Sequence, residues 1–283
     1  ERIMKKLIFI ALILIQTALL LAVFDDYIPS ARARGMGGAY TGVADDVNSL
    51  YFNPAGLTNV KLEAQVGFSR LYGNAFSEYK TAALGVKLPK KLGTLAFGAR
   101  LFDVAFEEET LMSEQVWTAG HAFDLQSDIH SQISVGYSVN YHRLQFIEED
   151  SDGAIGVDFG ATAFLHGRTK LGFSVCNLNQ AVMGDANQHP LPSKLALGIS
   201  YIPYENVITT LEVKKDFAKE TEFMGGVEVR PFEPLAVRFG VHSNPATWNA
   251  GIGLNVKGIE LDLAYTNHAV LPGTLYGNLG YKF

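Results

Sequence analysis

The chain has 283 residues, 48% of them hydrophobic and 18% charged, and a formal net charge of −6. That balance excludes a nucleic-acid-binding protein, which needs a basic surface, and a single cysteine, Cys176, excludes an intrachain disulfide. Past residue 23 no run of about 18 apolar residues occurs, so the remainder holds no membrane-spanning helix.

Lys5 and Lys6 precede an apolar run, residues 7–23, interrupted only by Gln16 and Thr17. Leu20-Leu21-Ala22 ends on a small residue at a usable cleavage position. These features predict a secretory signal peptide over residues 1–22, with Met4 as its start. The length of the run leaves a permanent membrane helix as the competing reading. No cysteine follows it to carry a lipid anchor. An exported chain without disulfides must find stability elsewhere. Closing a sheet on itself supplies it, because every strand is then hydrogen-bonded on both sides.

Residues 31–57 lack strand periodicity. Gly35, Gly37, Gly38 and Gly42 mark backbone in unusual angles or close approach. Asp45, Asp46, Asn48 and Ser49 can each cap a helical turn. Pro54 pushes Asn53 out of helical space. The expectation is a compact, buried plug within residues 23–60, with one or two short helical turns ending at Asn53. The Asn53 amide can bond several backbone groups at once and hold such a plug in place. Taken alone, the Gly-Gly and Asn-Pro-Ala blocks also suit an ordinary loop with a helix stop.

Three blocks, Met36-Gly37-Gly38-Ala39-Tyr40, Ala44-Asp45-Asp46 and Asn53-Pro54-Ala55-Gly56-Leu57, resemble the N-terminal plug of the FadL-type outer-membrane barrels, and most closely their PorV/PorQ-like branch. The resemblance implies a plug motif carried by Gly35, Met36, Gly37, Gly38, Asp45, Asp46, Asn53, Pro54 and Ala55. It also implies residence in the outer membrane of a Gram-negative-type bacterium.

From residue 62 onward the period is two. Ile259, Leu261, Leu263 and Tyr265 alternate with Glu260, Asp262 and Ala264. Trp248, Ala250, Ile252, Leu254 and Val256 alternate with Asn249, Gly251, Gly253 and Asn255. Each strand therefore has one apolar face and one small or polar face. Turn signals divide residues 61–283 into about fourteen strands: 62–72, 77–88, 93–104, 113–124, 130–146, 153–166, 168–177, 193–203, 206–215, 221–230, 234–242, 247–256, 258–266 and 274–283. Most are near the roughly 9–11 residues that a tilted spanning strand needs. The predicted fold is all-β: a transmembrane antiparallel barrel with a short plug in its lumen. Tight turns such as His166-Gly167 and Lys257-Gly258 alternate with connections expected to be longer, at 106–112, 148–152, 178–192 and 267–273. Short periplasmic turns against longer outer loops is the usual asymmetry.

The final strand alternates Leu275, Gly277, Leu279, Tyr281 and Phe283. Leu279, Tyr281 and the terminal Phe283 resemble the signal by which barrel-assembly machinery recognises its clients. The apolar faces suit hydrocarbon, so the opposite faces line the interior. Parity places Glu63, Lys87, Arg100, Asp158, Glu212, Lys214, Glu222, Glu228, Arg230, Arg238, Glu260 and Asp262 there. Of these, Arg100, Asp158, Glu212 and Arg238 are the foremost candidate lumen charges. Unpaired charge is costly inside a barrel, so these should pair with one another, with the plug or with water.

Catalysis finds no support, since no nucleophile elbow, His-Glu-x-x-His helix or Cys-x-x-Cys pair occurs. His121, His130 and His142 could share a rim, and Glu148-x-Asp150-x-Asp152-Gly153 opens like a calcium loop but has Phe159 where the closing Glu belongs. No cofactor or metal is expected. Two functions remain. The FadL-type resemblance implies a passive channel for small hydrophobic compounds such as fatty acids, with Asn53-Pro54 fixing the plug and the glycines of 35–42 letting it move. The PorV/PorQ-like resemblance implies instead a partner of secretion-system proteins or of surface attachment. Either way the partners include membrane lipid and the assembly machinery, and no nucleic acid.

Overall fold

The computed structural model describes residues 27–106, 109–147, 151–184 and 189–283. The expected signal peptide and the core of the acidic 148–150 motif lie outside the described residues.

Alternation becomes a closed wall. Strands β1 (Leu62–Arg70), β2 (Ser77–Lys87), β3 (Thr94–Phe106), β4 (Glu109–Ser127), β5 (Ser131–Phe146), β6 (Asp152–Leu165) and β7 (Thr169–Cys176) form one half. A short hairpin follows, β8 (Val182–Met183) and β9 (His189–Pro190). Strands β10 (Lys194–Tyr201), β11 (Val207–Asp216), β12 (Thr221–Phe232), β13 (Leu235–Ser243), β14 (Ala246–Val256), β15 (Ile259–Thr266) and β16 (Thr274–Lys282) complete it. The hairpin stands apart, and the other fourteen strands pair antiparallel in sequence order, with β7 against β10. Closure is made by β1 on β16, in the register Val66↔Leu279 and Gly67↔Asn278.

The two faces differ as the period requires. On β15, Ile259, Leu261, Leu263 and Tyr265 point outward and are 37–53% exposed, while Asp262 and Ala264 point inward and are buried. The same outward band includes Phe97, Trp117, Leu197, Leu211, Phe223 and Phe239. So much contiguous apolar surface has no stable place in water and matches the hydrocarbon band of a spanning barrel. No helix among the described residues is long and apolar enough to cross a membrane; the strands are the crossing elements.

One expectation fails in detail. The outer connections were expected to be long, including 106–112. Instead β3 and β4 zip together as far as Phe106↔Glu109, with a register shift at Val104/Ala105. Thr110 and Met112 pair in the ladder rather than looping out. Hydrogen-bonding of the extended backbone outweighs the polar run there, and the bulge twists the hairpin above the membrane. The longest outer connection is 177–193, which carries the β8–β9 hairpin and folds back, burying Met183 and Leu191.

The N-terminal segment lies inside the barrel. It makes a helical turn at Ala31–Gly35, whose N-cap Ser30 accepts the Ala33 amide, and a second at Ser49–Phe52. A 3-10 stretch follows at Pro54–Asn59, capped by the Asn53 side chain. Gly37 and Gly38 have φ of 71° and 85°, which other residues resist. The barrel is narrow for its contents, and the wall yields by omitting side chains. Inward positions hold Gly85, Gly98, Gly120, Gly136, Gly160, Gly172, Gly198, Gly226 and Gly240, and a Cβ on each would collide with the segment. Gly226 and Gly240 meet Met36 and Gly37, Gly172 and Gly198 meet Thr41 and Gly42, and Gly136 and Gly160 meet Asn53 and Pro54. The plug touches wall backbone directly around most of the circumference.

Candidate functional site

The lumen has two unlike halves, separated by the plug. On the side of the tight turns and the C-terminal end, charge dominates. Arg32 projects from the first helical turn of the plug, and its side chain is 7% exposed. Its Nε donates to Glu228 Oε2 at 2.8 Å, and a terminal nitrogen donates to Asp45 Oδ1 at 2.5 Å and to the Tyr40 hydroxyl at 3.1 Å. The Tyr40 hydroxyl in turn donates to Asp46 at 2.6 Å. Glu228 also accepts from Arg238 Nε at 2.7 Å and from Arg230 at 2.9 Å, and Arg238 reaches Asp262 at 2.5 Å. One connected network thus ties the plug to β12, β13 and β15. Alternating signs at these distances satisfy buried groups that would be costly singly. A polar cavity of about 440 Å³ opens beside it, lined by Arg32, Arg230, Arg238, Glu260, Asp262 and Lys282 among others.

Further anchors lie around the ring. Glu212 accepts both the amide and the hydroxyl of Thr41, at 2.7 and 2.9 Å. Lys170 donates to the carbonyls of Val43 and Ala44 at 2.7 and 2.8 Å. Asn53 is fully buried; its amide nitrogen donates to the carbonyls of Thr41 and Ala161, both at 3.1 Å, and its oxygen accepts from Ala55. Asn48 donates to Gln65 on β1. Asp46 Oδ1 accepts the Asn48 amide, so this aspartate both caps a turn and joins the ionic network.

The opposite half, under 177–193, is apolar and aromatic. Tyr79, Phe102, Met112, Val116, Leu144, Met183, Leu191 and Tyr276 form one buried cluster there, with Tyr27 packed against it. Those on wall strands, Tyr79, Phe102, Met112, Val116, Leu144 and Tyr276, hold inward positions, where a water-filled pore carries polar side chains. A cavity of about 100 Å³ lies against this cluster. Its polar margin holds Arg100, Glu114, Asn140, His142, Asp158 and Lys194.

The sequence-derived candidates divide between these halves. Met36, Asp46, Asn53 and Ala55 are buried in the plug, Pro54 with them, and Gly35 abuts Arg238. Asp45 and Asp46 join Arg238 in the network, Glu212 holds Thr41, and Arg100 and Asp158 belong to the outer chamber. Lys87 and Arg230 sit at the exposed rim. Leu279, Tyr281 and Phe283 face outward, the two rings edge to face at 4.4 Å. The three histidines do not converge: His142 lines the outer chamber, His121 bonds the Leu92 carbonyl on the outside of the wall, and His130 sits in a turn. Among the described residues no three His, Cys, Asp or Glu side chains are placed to hold a metal ion.

Arg32 was not singled out from the sequence. Its signal was an Arg-x-Arg in a run of small residues, which needs carboxylates once buried. Tyr51 was also missed. Its hydroxyl reaches through the gap left by Gly98 to the carbonyls of Ala82 and Ala99, at 2.6 and 3.3 Å.

Solved structures share this arrangement of strands. The toluene transporter TodX of Pseudomonas putida superposes with a TM-score of 0.59, covering 92% of this chain and 98% of its own, at 14% identity. The fold is that of a FadL/TodX-like outer-membrane β-barrel. A FadL homologue of Pseudomonas aeruginosa gives a TM-score of 0.58 at 10% identity, covering 93% of this chain and all of the other, 100%. No protein-family model matches the chain, and no curated protein matches it. The FadL-like fold accounts for the closed wall and the apolar band.

Proposed function

We propose that this FadL-like barrel is a passive channel for small hydrophobic compounds, with residues 27–60 acting as its plug. The observation that carries the reading is the apolar outer half of the lumen. Buried Tyr79, Phe102, Met112, Val116, Leu144 and Tyr276 offer a guest a surface that water does not. Such guests cross the polar outer leaflet poorly, so a greasy chamber behind a capping loop gives them a route. Likeness to a toluene transporter agrees with this reading. The plug residues Gly35, Gly37, Gly38, Asn53, Pro54 and Ala55 set how readily the route opens. Vesicles with a lipopolysaccharide outer leaflet that hold the refolded barrel should take up toluene faster than the same vesicles without it. Uptake should rise further when the Asn53 anchor is removed. Equal uptake with and without the barrel removes the reading.

One observation favours a second role. The outer connection at 244–245 is two residues long, which leaves that part of the rim open to a docking protein. A PorV/PorQ-like partner of secretion-system or surface-attachment proteins would fit that rim. It would co-purify with exported proteins and show no uptake. In either role Leu279, Tyr281 and Phe283 are proposed as the strand recognised by the barrel-assembly machinery.

A further inference from the structure

The end of the barrel that carries the tight turns is unevenly charged. Lys61, Lys87, Lys90, Lys91 and Lys257 are exposed there, and among the described residues none of their side chains has an ion pair or hydrogen bond. Backbone bonds draw them into one arc across the seam of the barrel. The Lys87 amide donates to the Lys61 carbonyl at 2.6 Å, the Phe283 amide to the Leu62 carbonyl at 3.0 Å, and the Lys282 amide to the Gly258 carbonyl at 2.8 Å. Lys282 is a further cation, held by Glu260 at 2.9 Å. At the edge of the arc, Arg230 and Glu233 bring one charge of each sign. The turns across the barrel differ: exposed Asp128 and Glu205 stand there against Arg168. Like charges on adjoining turns repel one another, and a polyanion that meets them removes that cost.

The position of the arc says which polyanion. The turn between β2 and β3 leans over the lipid-facing side of the wall. Its Leu92 carbonyl accepts from His121 Nε2 at 2.7 Å. His121 stands in the outward row of β4, its ring 5.7 Å from those of Phe123 and Tyr137. Leu92, next to Lys91, is 58% exposed. On the seam side, outward-facing Tyr281 and Phe283 flank Lys282. A girdle of rings marks the level at which acyl chains give way to head groups. Lys90 and Lys91, in the turn tied to that girdle, therefore stand at head-group level rather than over the lumen. A lysine stem lies along apolar surface and keeps its amine among polar groups.

We infer that this arc docks anionic phospholipid. The phosphates of lipids such as phosphatidylglycerol, in the leaflet on the side of the tight turns, sit on Lys90 and Lys91, with Lys61, Lys87 and Lys257 alongside. The inference goes beyond the channel reading and does not depend on it, because it needs only that the barrel spans a bilayer.

The test places the whole barrel in nanodiscs of equal phosphatidylglycerol and phosphatidylethanolamine, releases it into mild detergent, and counts the lipids it keeps by native mass spectrometry. Each lysine at a charged lipid surface multiplies affinity roughly fivefold. Phosphatidylglycerol should therefore be kept over phosphatidylethanolamine by about tenfold or more, and the preference should shrink as salt is raised during release. Lys90→Gln together with Lys91→Gln should remove most of the preference and leave phosphatidylethanolamine retention unchanged. A phosphatidylglycerol with a photoreactive head group should label residues 86–95. Equal retention of the two lipids by the unaltered barrel overturns the inference without any variant having to fold. So does a preference untouched by the double substitution in a barrel that keeps its folded gel mobility. Hexaglutamate binding to the barrel in neutral lipid, with no preference between the two lipids, assigns the arc to an acidic protein segment and overturns the lipid site as well. Uptake of toluene bears on the channel alone and leaves this result unaffected.

Discussion

Replacing Arg32 by methionine tests whether the ionic network holds the plug. The substitution keeps the stem and deletes the charge. Removing one partner of a buried pair costs about 3–5 kcal/mol when the other is left with nothing. Here the orphans keep other partners. Glu228, 1% exposed, retains Arg238 at 2.7 Å and Arg230 at 2.9 Å. Asp46, 3% exposed, retains the Tyr40 hydroxyl at 2.6 Å and the Asn48 amide at 2.9 Å. Asp45 is 38% exposed and regains water. The expected loss is therefore below the full range, about 2–3 kcal/mol, which multiplies the undocked population roughly 30- to 150-fold. Hydrogen exchange in nanodiscs reads that population at plug amides bonded to the wall, such as Thr41 on the Glu212 carboxylate and Ala31 on the Asn278 side chain. Both should exchange faster by that factor while amides of β4 and β5 stay protected. Arg70→Met is the control: its pair with Glu78 has side chains 54% and 32% exposed, worth about 0–1 kcal/mol, and plug exchange should not change. Unaltered plug exchange in a folded Arg32→Met barrel would refute the network as the anchor.

Asn53→Ala removes the bonds to the Thr41 and Ala161 carbonyls and the one accepted from Ala55, and strands these buried groups. It should cost about 1–3 kcal/mol and raise toluene uptake; unchanged uptake and plug protection would dismiss the anchor role. Gly240→Ala puts a Cβ into the Gly37 amide, whereas at Gly277 a Cβ would meet only a Leu263 methyl at 3.5 Å. The first should loosen the plug by about 1–3 kcal/mol and the second should be silent in the same exchange measurement; equal effects would argue against a matched wall. In the turn after β4, Asp128 is held down to about 2 by the Gln126 side chain and by the backbone amides of His130 and Ser131. A carboxylate depressed on folding stabilises above its ordinary value near 3.8 and loses that contribution as pH falls through about 2. Exchange of the His130 and Ser131 amides should therefore accelerate across that window, beyond the intrinsic trend, in the unaltered protein and not in Asp128→Asn.

Much of the wall was legible because its cause is local. Ile259 and Leu263 share a face for the same reason in any strand: successive side chains alternate. Parity alone put Glu228, Arg238 and Asp262 inside, and the structure joins all three. The outer loops were misread where composition misled. Glu109 and Thr110 are polar but pair in the ladder with Phe106 and Ala105, because a hairpin above the membrane tolerates polar side chains on both faces. The plug's position was suggested by Gly37, Gly38 and Asn53-Pro54, but not its partners. Arg32 binds Asp45 13 residues away and Glu228 196 residues away, and nothing near it in the chain announces either.

The sequence by itself determined a closed sheet with greasy outer faces, because a period of two and tight turns leave the strands no other way to satisfy their backbone in lipid. It also determined that something compact would precede that sheet. Only the tertiary structure decided which wall glycines face which plug residues, and which half of the lumen is charged and which is apolar. Those facts depend on strands far apart in the chain being brought into register around a common axis, and charge pairing and close backbone contact act only over the few ångströms that register creates.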